Sequence, residues 1–287
     1  MTTSHMSAAT GATHIVLSQD GAEISYLTTG SGPAVMVIPG ALSVAADYGA
    51  FASALAKQFT VHTIERRGRG LSSPQGDDYS MLKEREDVLA LQRKTGASLL
   101  VGHSFGGLVA LEVARNNPSL TKVAVYEPGV SVDGSIPMGW MPGYQKKLVE
   151  RKYLNAFVEF SLAVGPERAR NTPPWLMKLL LPLFVNSHDR QQMLDLLPEN
   201  LREHQEVARL DSSYENYREI SAAVLLMYGG KSDSPWVNTA MERLAAVLPR
   251  SETQEFPKLD HFGIDKKAPR EVARAVSAYF LMGLTTH

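Results

Sequence analysis

A chain of 287 residues with 29 Lys plus Arg against 30 Asp plus Glu has a net charge of −1. No basic surplus points to nucleic acid, and no acidic block points to a solvating tail. Cysteine is absent, which excludes thiol catalysis, cysteine-ligated metal and disulfides.

In chain order, the opening Met1-Thr2-Thr3-Ser4-His5-Met6 lacks the basic and apolar regions of a secretory signal, and Ser4-His5-Met6 resembles a cloning scar. Residues 1–10 are therefore read as disordered or tag-derived, and a cytoplasmic location is expected. Ile15 to Leu17 and Ile24 to Leu27 flank the turn Gln19-Asp20-Gly21 and predict an antiparallel hairpin. Ala34 to Ile38 is a continuous apolar run, as in a strand buried on both faces, and ends in Pro39-Gly40-Ala41. Ala45 to Phe59 has helical spacing, Val61 to Ile64 is the next strand, and Glu65-Arg66-Arg67-Gly68-Arg69-Gly70-Leu71-Ser72 is a turn segment punctuated by glycine. A helix over Met81 to Arg93, a strand over Ser98 to Val101, a helix over Phe105 to Asn116 and a strand over Lys122 to Tyr126 follow. This alternation predicts a mostly parallel sheet with helices on both faces.

The alternation stops after Pro128. Gly129 to Gly143 is rich in Gly, Pro and Ser and reads as a hinge. Helical stretches without strands follow, at about Tyr144 to Val164, Pro174 to Asn186, Asp189 to Leu196 and Glu199 to Leu210. The longest apolar stretch among them, Trp175 to Val185, is interrupted by Lys178 and Pro182 and falls short of the ~18 residues of a membrane span. Residues 129–219 are therefore expected to form an inserted helical cap between two parts of a core, 11–128 and 220–287. Strands over Ala223 to Tyr228 and Glu252 to Phe256 and helices over Trp236 to Leu248 and Pro269 to Phe280 complete the core.

One stretch carries chemistry. Gly102-His103-Ser104-Phe105-Gly106 joins a strand to a helix, the setting in which Gly-x-Ser-x-Gly presents a nucleophile on a sharp turn. A serine hydroxyl needs a base to take its proton and a third group to hold that base. Asp233 follows the strand ending at Tyr228, and His261 follows the last strand, in the order serine, acid, histidine. Asp233 is preferred as the acid for its place in that order, with Glu127, after the strand ending at Tyr126, as the rival. Asp260 and Asp265 are read as loop residues, His103 as packing or shaping the pocket, and His188 and His204 as lying on solvated helix faces. No His-x-x-x-His or His-Glu pair suggests a metal. Oxyanion donors are expected at the N–H groups of Phe105 and Ala41. Trp140, Met141, Trp175 and Phe184 are the cap residues expected to roof the site.

With these residues in place, the chain resembles the α/β-hydrolase superfamily over about residues 14–284. Glu65 to Ser72 looks like that family's acidic-x-Arg-Gly-x-Gly-x-Ser segment, with Glu where Asp is usual. Pro39 stands where the family usually has histidine before the glycine of the oxyanion loop. The resemblance implies a mostly parallel eight-stranded sheet with an all-helical cap and no cofactor. It implies Ser104 as nucleophile, His261 as general base and then acid, and Asp233 as the group that orients His261. The expected activity is hydrolysis of a small or medium carboxylic ester, thioester or lactone. Same-triad non-ester chemistry (C–C bond hydrolysis, perhydrolysis, a lyase reaction or cofactor-free oxygenation), or a hydrolase-like ligand-binding receptor, are the alternatives. The expected partner is a small-molecule substrate.

Overall fold

The computed structural model describes residues 11–165, 167–184 and 186–282, without the side chains of 168, 182 and 184. The reading of residues 1–10 as disordered or tag-derived lies outside the described residues.

β1 (Ala12–Leu17) and β2 (Glu23–Gly30) form the expected hairpin, with Ala12 opposite Thr28 and Leu17 opposite Glu23. β2 also runs antiparallel to β4 (Thr60–Ile64). The other pairings, through β3 (Ala34–Ile38), β5 (Leu99–His103), β6 (Lys122–Tyr126), β7 (Ala223–Gly229) and β8 (Ser251–Phe256), are parallel. The sheet has eight strands in the order β1-β2-β4-β3-β5-β6-β7-β8.

The central strands read as unbroken apolar runs because they are covered on both faces. Val35, Val37, Leu99, Val101, Leu225 and Met227 pack with α1 (Gly49–Leu55) and α11 (Pro269–Leu281). The alternate residues Met36, Ile38, Leu100, Val123, Val125 and Leu226 pack with α2 (Met81–Thr95), α3 (Phe105–Ala114) and α10 (Pro235–Val247). α1 is shorter than its apolar spacing predicts, because Ala45–Tyr48 winds as a 3-10 turn. α2 ends at Gly96, whose φ of +67° suits a residue without a β-carbon.

Between β6 and β7 lie α4 (Met141–Val149), α5 (Tyr153–Val164), α6 (Glu167–Arg170), α7 (Pro174–Phe184), α8 (Ser187–Asp195) and α9 (Leu197–Arg209). The single helix expected over Tyr144 to Val164 is broken. Arg151 takes φ +56°, and the N–H of Lys152 turns back to the carbonyl of Lys147 at 2.8 Å. No glycine or proline marks that break. The stretch read as a hinge is instead packed: Val130, Val132 and Ile136 are buried in the core, and Ser131 Oγ donates to Asp211 Oδ1 at 2.5 Å. No helix among the described residues is long and apolar enough to cross a membrane.

All five parallel connections leave their strands at one edge of the sheet. That edge carries Gly40 and Ala41 after β3, Arg66 after β4, Ser104 after β5, Glu127 after β6 and His261 after β8, and it is where open α/β sheets bind ligands.

Candidate active site

Ser104 sits between β5 and α3 with φ +54° and ψ −123°, a conformation that costs a non-glycine residue energy and persists only when its surroundings impose it. The surroundings are close. A β-carbon on Gly106 would lie 2.3 Å from the carbonyl oxygen of Ile38, and one on Gly102 would lie 2.4 Å from that of Gly106. Both contacts are with backbone, so neither is relieved by a side chain moving away. Gly106→Ala is expected to lower unfolding free energy by about 1–3 kcal/mol, the usual cost of overpacking, as measured by urea denaturation. Because Ile38 and Pro39 carry the loop after β3, activity is expected to fall with it.

His261 follows β8 in a loop that folds back across the end of β7. Tyr126 Oη donates to the carbonyl of Asp260 at 2.8 Å and holds that loop over β6. The imidazole thereby meets the residue after β6: His261 Nδ1 lies 2.8 Å from Glu127 Oε2, and the Glu127 carboxylate is fully buried. A carboxylate only accepts, so Nδ1 carries the hydrogen and Nε2 is left as the basic nitrogen. The second carboxylate oxygen of Glu127 accepts from the Gly229 N–H at 2.8 Å and from the Ser232 hydroxyl.

The structure thus brings Glu127, and not the preferred Asp233, against the His261 ring. Asp233 is exposed, and its carbonyl oxygen accepts from Arg170 Nη2 at 3.1 Å. The 229–234 turn contributes Gly229 and Ser232 to the site instead, as donors that hold Glu127. Burial alone would push the His261 pKa down. The hydrogen bond and charge of Glu127, with the charges of Asp265 and Asp260, outweigh it and hold the imidazole above its usual 6.5.

The loop after β3 is held on both sides of Gly40. Its N–H donates to Tyr48 Oη at 2.9 Å, and its carbonyl accepts from Arg66 Nη2 at 3.0 Å. In a planar trans peptide the carbonyl and the following N–H point in opposite directions. Anchoring the Gly40 carbonyl on Arg66 therefore aims the Ala41 N–H away from Arg66. The same guanidinium lies 4.8 Å from the centre of the Phe105 ring. Among the turn and loop hydrogen bonds of the described residues, none is donated by the N–H of Ala41 or Phe105.

Arg66 is buried among carboxylates, 3.0 Å from Glu84 Oε1 and 3.0 Å from Glu203 Oε1 on α9. Arg69 Nη2 reaches the same Glu203 oxygen at 2.6 Å. The motif segment from Glu65 to Ser72 thus joins the sheet edge to the inserted helices. Its Ser72 hydroxyl donates to the Glu65 carbonyl at 2.6 Å and accepts from the Ser25 N–H at 2.9 Å.

The four insertion residues expected near the site diverge. Trp140 is buried in an aromatic cluster, its ring 4.9 Å from Tyr144, 5.0 Å from Phe160 and 5.2 Å from His204. Met141 packs against the same cluster, as does Leu42 from the loop after β3. Trp175 is 67% exposed, in a row with the exposed Leu179 and Leu183, and is not part of that cluster. The side chain of Phe184 lies outside the described residues. His204 is not on a solvated face either, since its ring joins the Trp140 cluster and its Nδ1 donates to the Asn200 carbonyl at 2.9 Å. Asp265, read as a loop residue, is buried, and burial pushes its carboxyl up to about 6. Trp236, with its ring 5.8 Å from His261, and Tyr48 were not singled out by the sequence. Neither lies in a motif.

The sequence pattern of the alpha/beta hydrolase family matches residues 35–275. An N-formylmaleamate deformylase from Pseudomonas putida is 33% identical over 123 residues, which is 41% of this chain and 46% of that protein. The chain matches less than half the length of this and the next most similar relatives. A solved alpha/beta hydrolase from Sphaerobacter thermophilus superposes with a TM-score of 0.79 at 27% identity, covering 93% of this chain and all of that one. The esterase RhEst1 from a Rhodococcus species has the same fold, with a TM-score of 0.68 at 20% identity over 95% of this chain and 99% of that one.

Proposed function

Because the chain belongs to the alpha/beta hydrolase family, we propose that it is a serine hydrolase acting through an acyl-enzyme on Ser104. Its substrate is a small or medium carboxylic ester, thioester or lactone. The observation that carries this reading is the fixed tautomer of His261, whose Nδ1–H is committed to buried Glu127 at 2.8 Å, leaving Nε2 as the base. Ser104 Oγ attacks the carbonyl carbon as its proton passes to His261 Nε2. The N–H groups of Ala41 and Phe105 bind the oxygen on which negative charge develops. The imidazolium then gives its proton to the leaving alkoxide or thiolate. Water, deprotonated by the same nitrogen, clears the acyl group from Ser104. The inserted helices serve as a cap whose cluster around Trp140 and Met141 roofs the acyl side, next to Leu42.

A fluorophosphonate probe is expected to label the native protein and not Ser104→Ala; no labelling of the native protein would sink the reading. kcat/KM should fall on the acid side as His261 gains its proton. Since Glu127 raises that pKa, the acid limb is expected above pH 6.5 and should move to lower pH in Glu127→Gln.

The partial match to a deformylase favours one second reading, in which the same site cleaves the C–N bond of an N-formyl amide. A panel pairing formyl amides with chromogenic esters separates the two by which class gives the higher kcat/KM.

A further inference from the structure

We infer that Tyr48 and His103 are positioning residues that tie the oxyanion loop to the loop of the general base through one directed chain of hydrogen bonds. The inference rests on the proposed hydrolase reading, and it concerns groups that touch neither substrate nor the reacting atoms.

Four groups lie in sequence. The Gly40 N–H is 2.9 Å from Tyr48 Oη, Tyr48 Oη is 2.6 Å from His103 Nδ1, and His103 Nε2 is 2.9 Å from the carbonyl oxygen of His261. Tyr48 and His103 are both buried. The chemistry of the ends fixes every proton. A backbone carbonyl only accepts, so His103 Nε2 carries a hydrogen. Burial holds the His103 pKa well below its usual value, and the neighbouring His261 lowers it further, so the ring is neutral and carries only that hydrogen. Nδ1 is therefore an acceptor, and the Tyr48 hydroxyl must donate to it. The phenol oxygen is then free to accept from Gly40. Every donor in the chain points the same way, from the loop after β3 to the loop after β8, and such chains polarise one another.

The placement links the chain to catalysis. Gly40 is adjacent to Ala41, whose N–H is one proposed oxyanion donor. His261 supplies the base, and His103 immediately precedes the nucleophile. The two rings lie 4.9 Å apart, with the Tyr126 ring 5.8 Å from His103 on another side. The Pro39 that replaces the family's usual histidine cannot brace this loop with a side-chain hydrogen bond, and Tyr48 braces it instead from the 3-10 turn that leads into α1.

Facing His103 are Tyr48, Tyr126 and His261, and among the described residues the charges that act on it are those of a protonated His261 and Lys266, both of which disfavour a second proton. The chain therefore stays in one direction over the pH range in which His261 titrates.

Tyr48→Phe removes only the hydroxyl and is the direct test. With a small chromogenic ester, kcat is expected to fall about 10- to 100-fold, part of the 10²–10³ that outright loss of an oxyanion donor costs, with KM within about twofold. His103→Phe removes the chain at both ends and is expected to lose at least as much. The double variant Tyr48→Phe, His103→Phe should be no slower than His103→Phe alone, because both act through one chain. A boronate that mimics the tetrahedral intermediate should lose affinity in step with kcat, whereas a ketone analogue of the ground state should not. Native kcat in Tyr48→Phe, or multiplicative losses in the double variant, would overturn the inference. So would equal weakening of boronate and ketone, the mark of a merely structural role. If one variant does not fold, the other with the boronate comparison decides. Absence of fluorophosphonate labelling in the native protein would overturn the hydrolase reading itself, whereas labelled native protein with an unchanged Tyr48→Phe rate overturns this inference alone.

Discussion

Glu127→Gln is expected to lower kcat by about 10⁴-fold, while Asp233→Asn stays within about twofold of native. The amide is nearly isosteric, so the loss does not come from a cavity. The Gly229 N–H and the Ser232 hydroxyl both donate to one oxygen of Glu127. They will hold the amide oxygen there and turn the amide nitrogen toward His261. That nitrogen donates, so His261 Nδ1 must become the acceptor and its hydrogen must move to Nε2. The nitrogen that should take the serine proton would then already carry one. Stopped-flow acylation by an activated ester, read for both variants, checks this. A large loss in Asp233→Asn with a mild one in Glu127→Gln would return the orienting role to Asp233.

Glu203→Leu is expected to destabilise the protein by about 3–5 kcal/mol, the cost of stripping a partner from a buried ion pair. Glu203 is fully buried and its Oε1 serves both Arg66 and Arg69. Without it, Arg66 keeps Glu84, and Arg69 keeps the carbonyls of Ser43 and Arg67. Urea unfolding measures the loss, and Glu203→Gln should lose less because its amide oxygen still accepts. A further consequence concerns pH. Burial alone would raise the Glu203 pKa, but Arg66 and Arg69 hold it below its usual 4.5. The folded state then binds fewer protons than the unfolded state, so this stabilisation is present above that pH and is lost as pH falls through the lowered value. Glu203→Gln should flatten the acid end of the stability profile. Because Arg66 also holds Gly40, kcat in Glu203→Leu should fall at pH values where the variant is still folded.

Most of the sheet was legible because its central strands are buried on both faces and its helices alternate with them. The elbow was legible because its signal is local: strand, glycines and helix are contiguous. The acid was not. Glu127 and Asp233 each follow a strand directly, and only the path of the loop after β8, drawn back by Tyr126, decides which carboxylate His261 meets. Glu127 sits at φ +42°, a conformation that a linear pattern does not announce. The break at Arg151 was hidden for the same reason. Trp175 illustrates a different limit. An apolar helix face in a sequence says that burial is favourable, not that anything covers it.

The pairing of His261 with Glu127 spans 134 residues of chain, with the inserted helices and β7 between them. Contacts so distant in sequence form only after much chain entropy has been lost, and they set the slow end of a folding reaction. α2 and α3 can close against their neighbouring strands early, whereas the His261–Glu127 pair exists only once β6, β7 and β8 are in register. On the proposed reading, reactivity at Ser104 is thus a stricter report of complete folding than helical content. A chain that has regained its circular dichroism but not its reactivity would be one in which the last two strands have yet to dock.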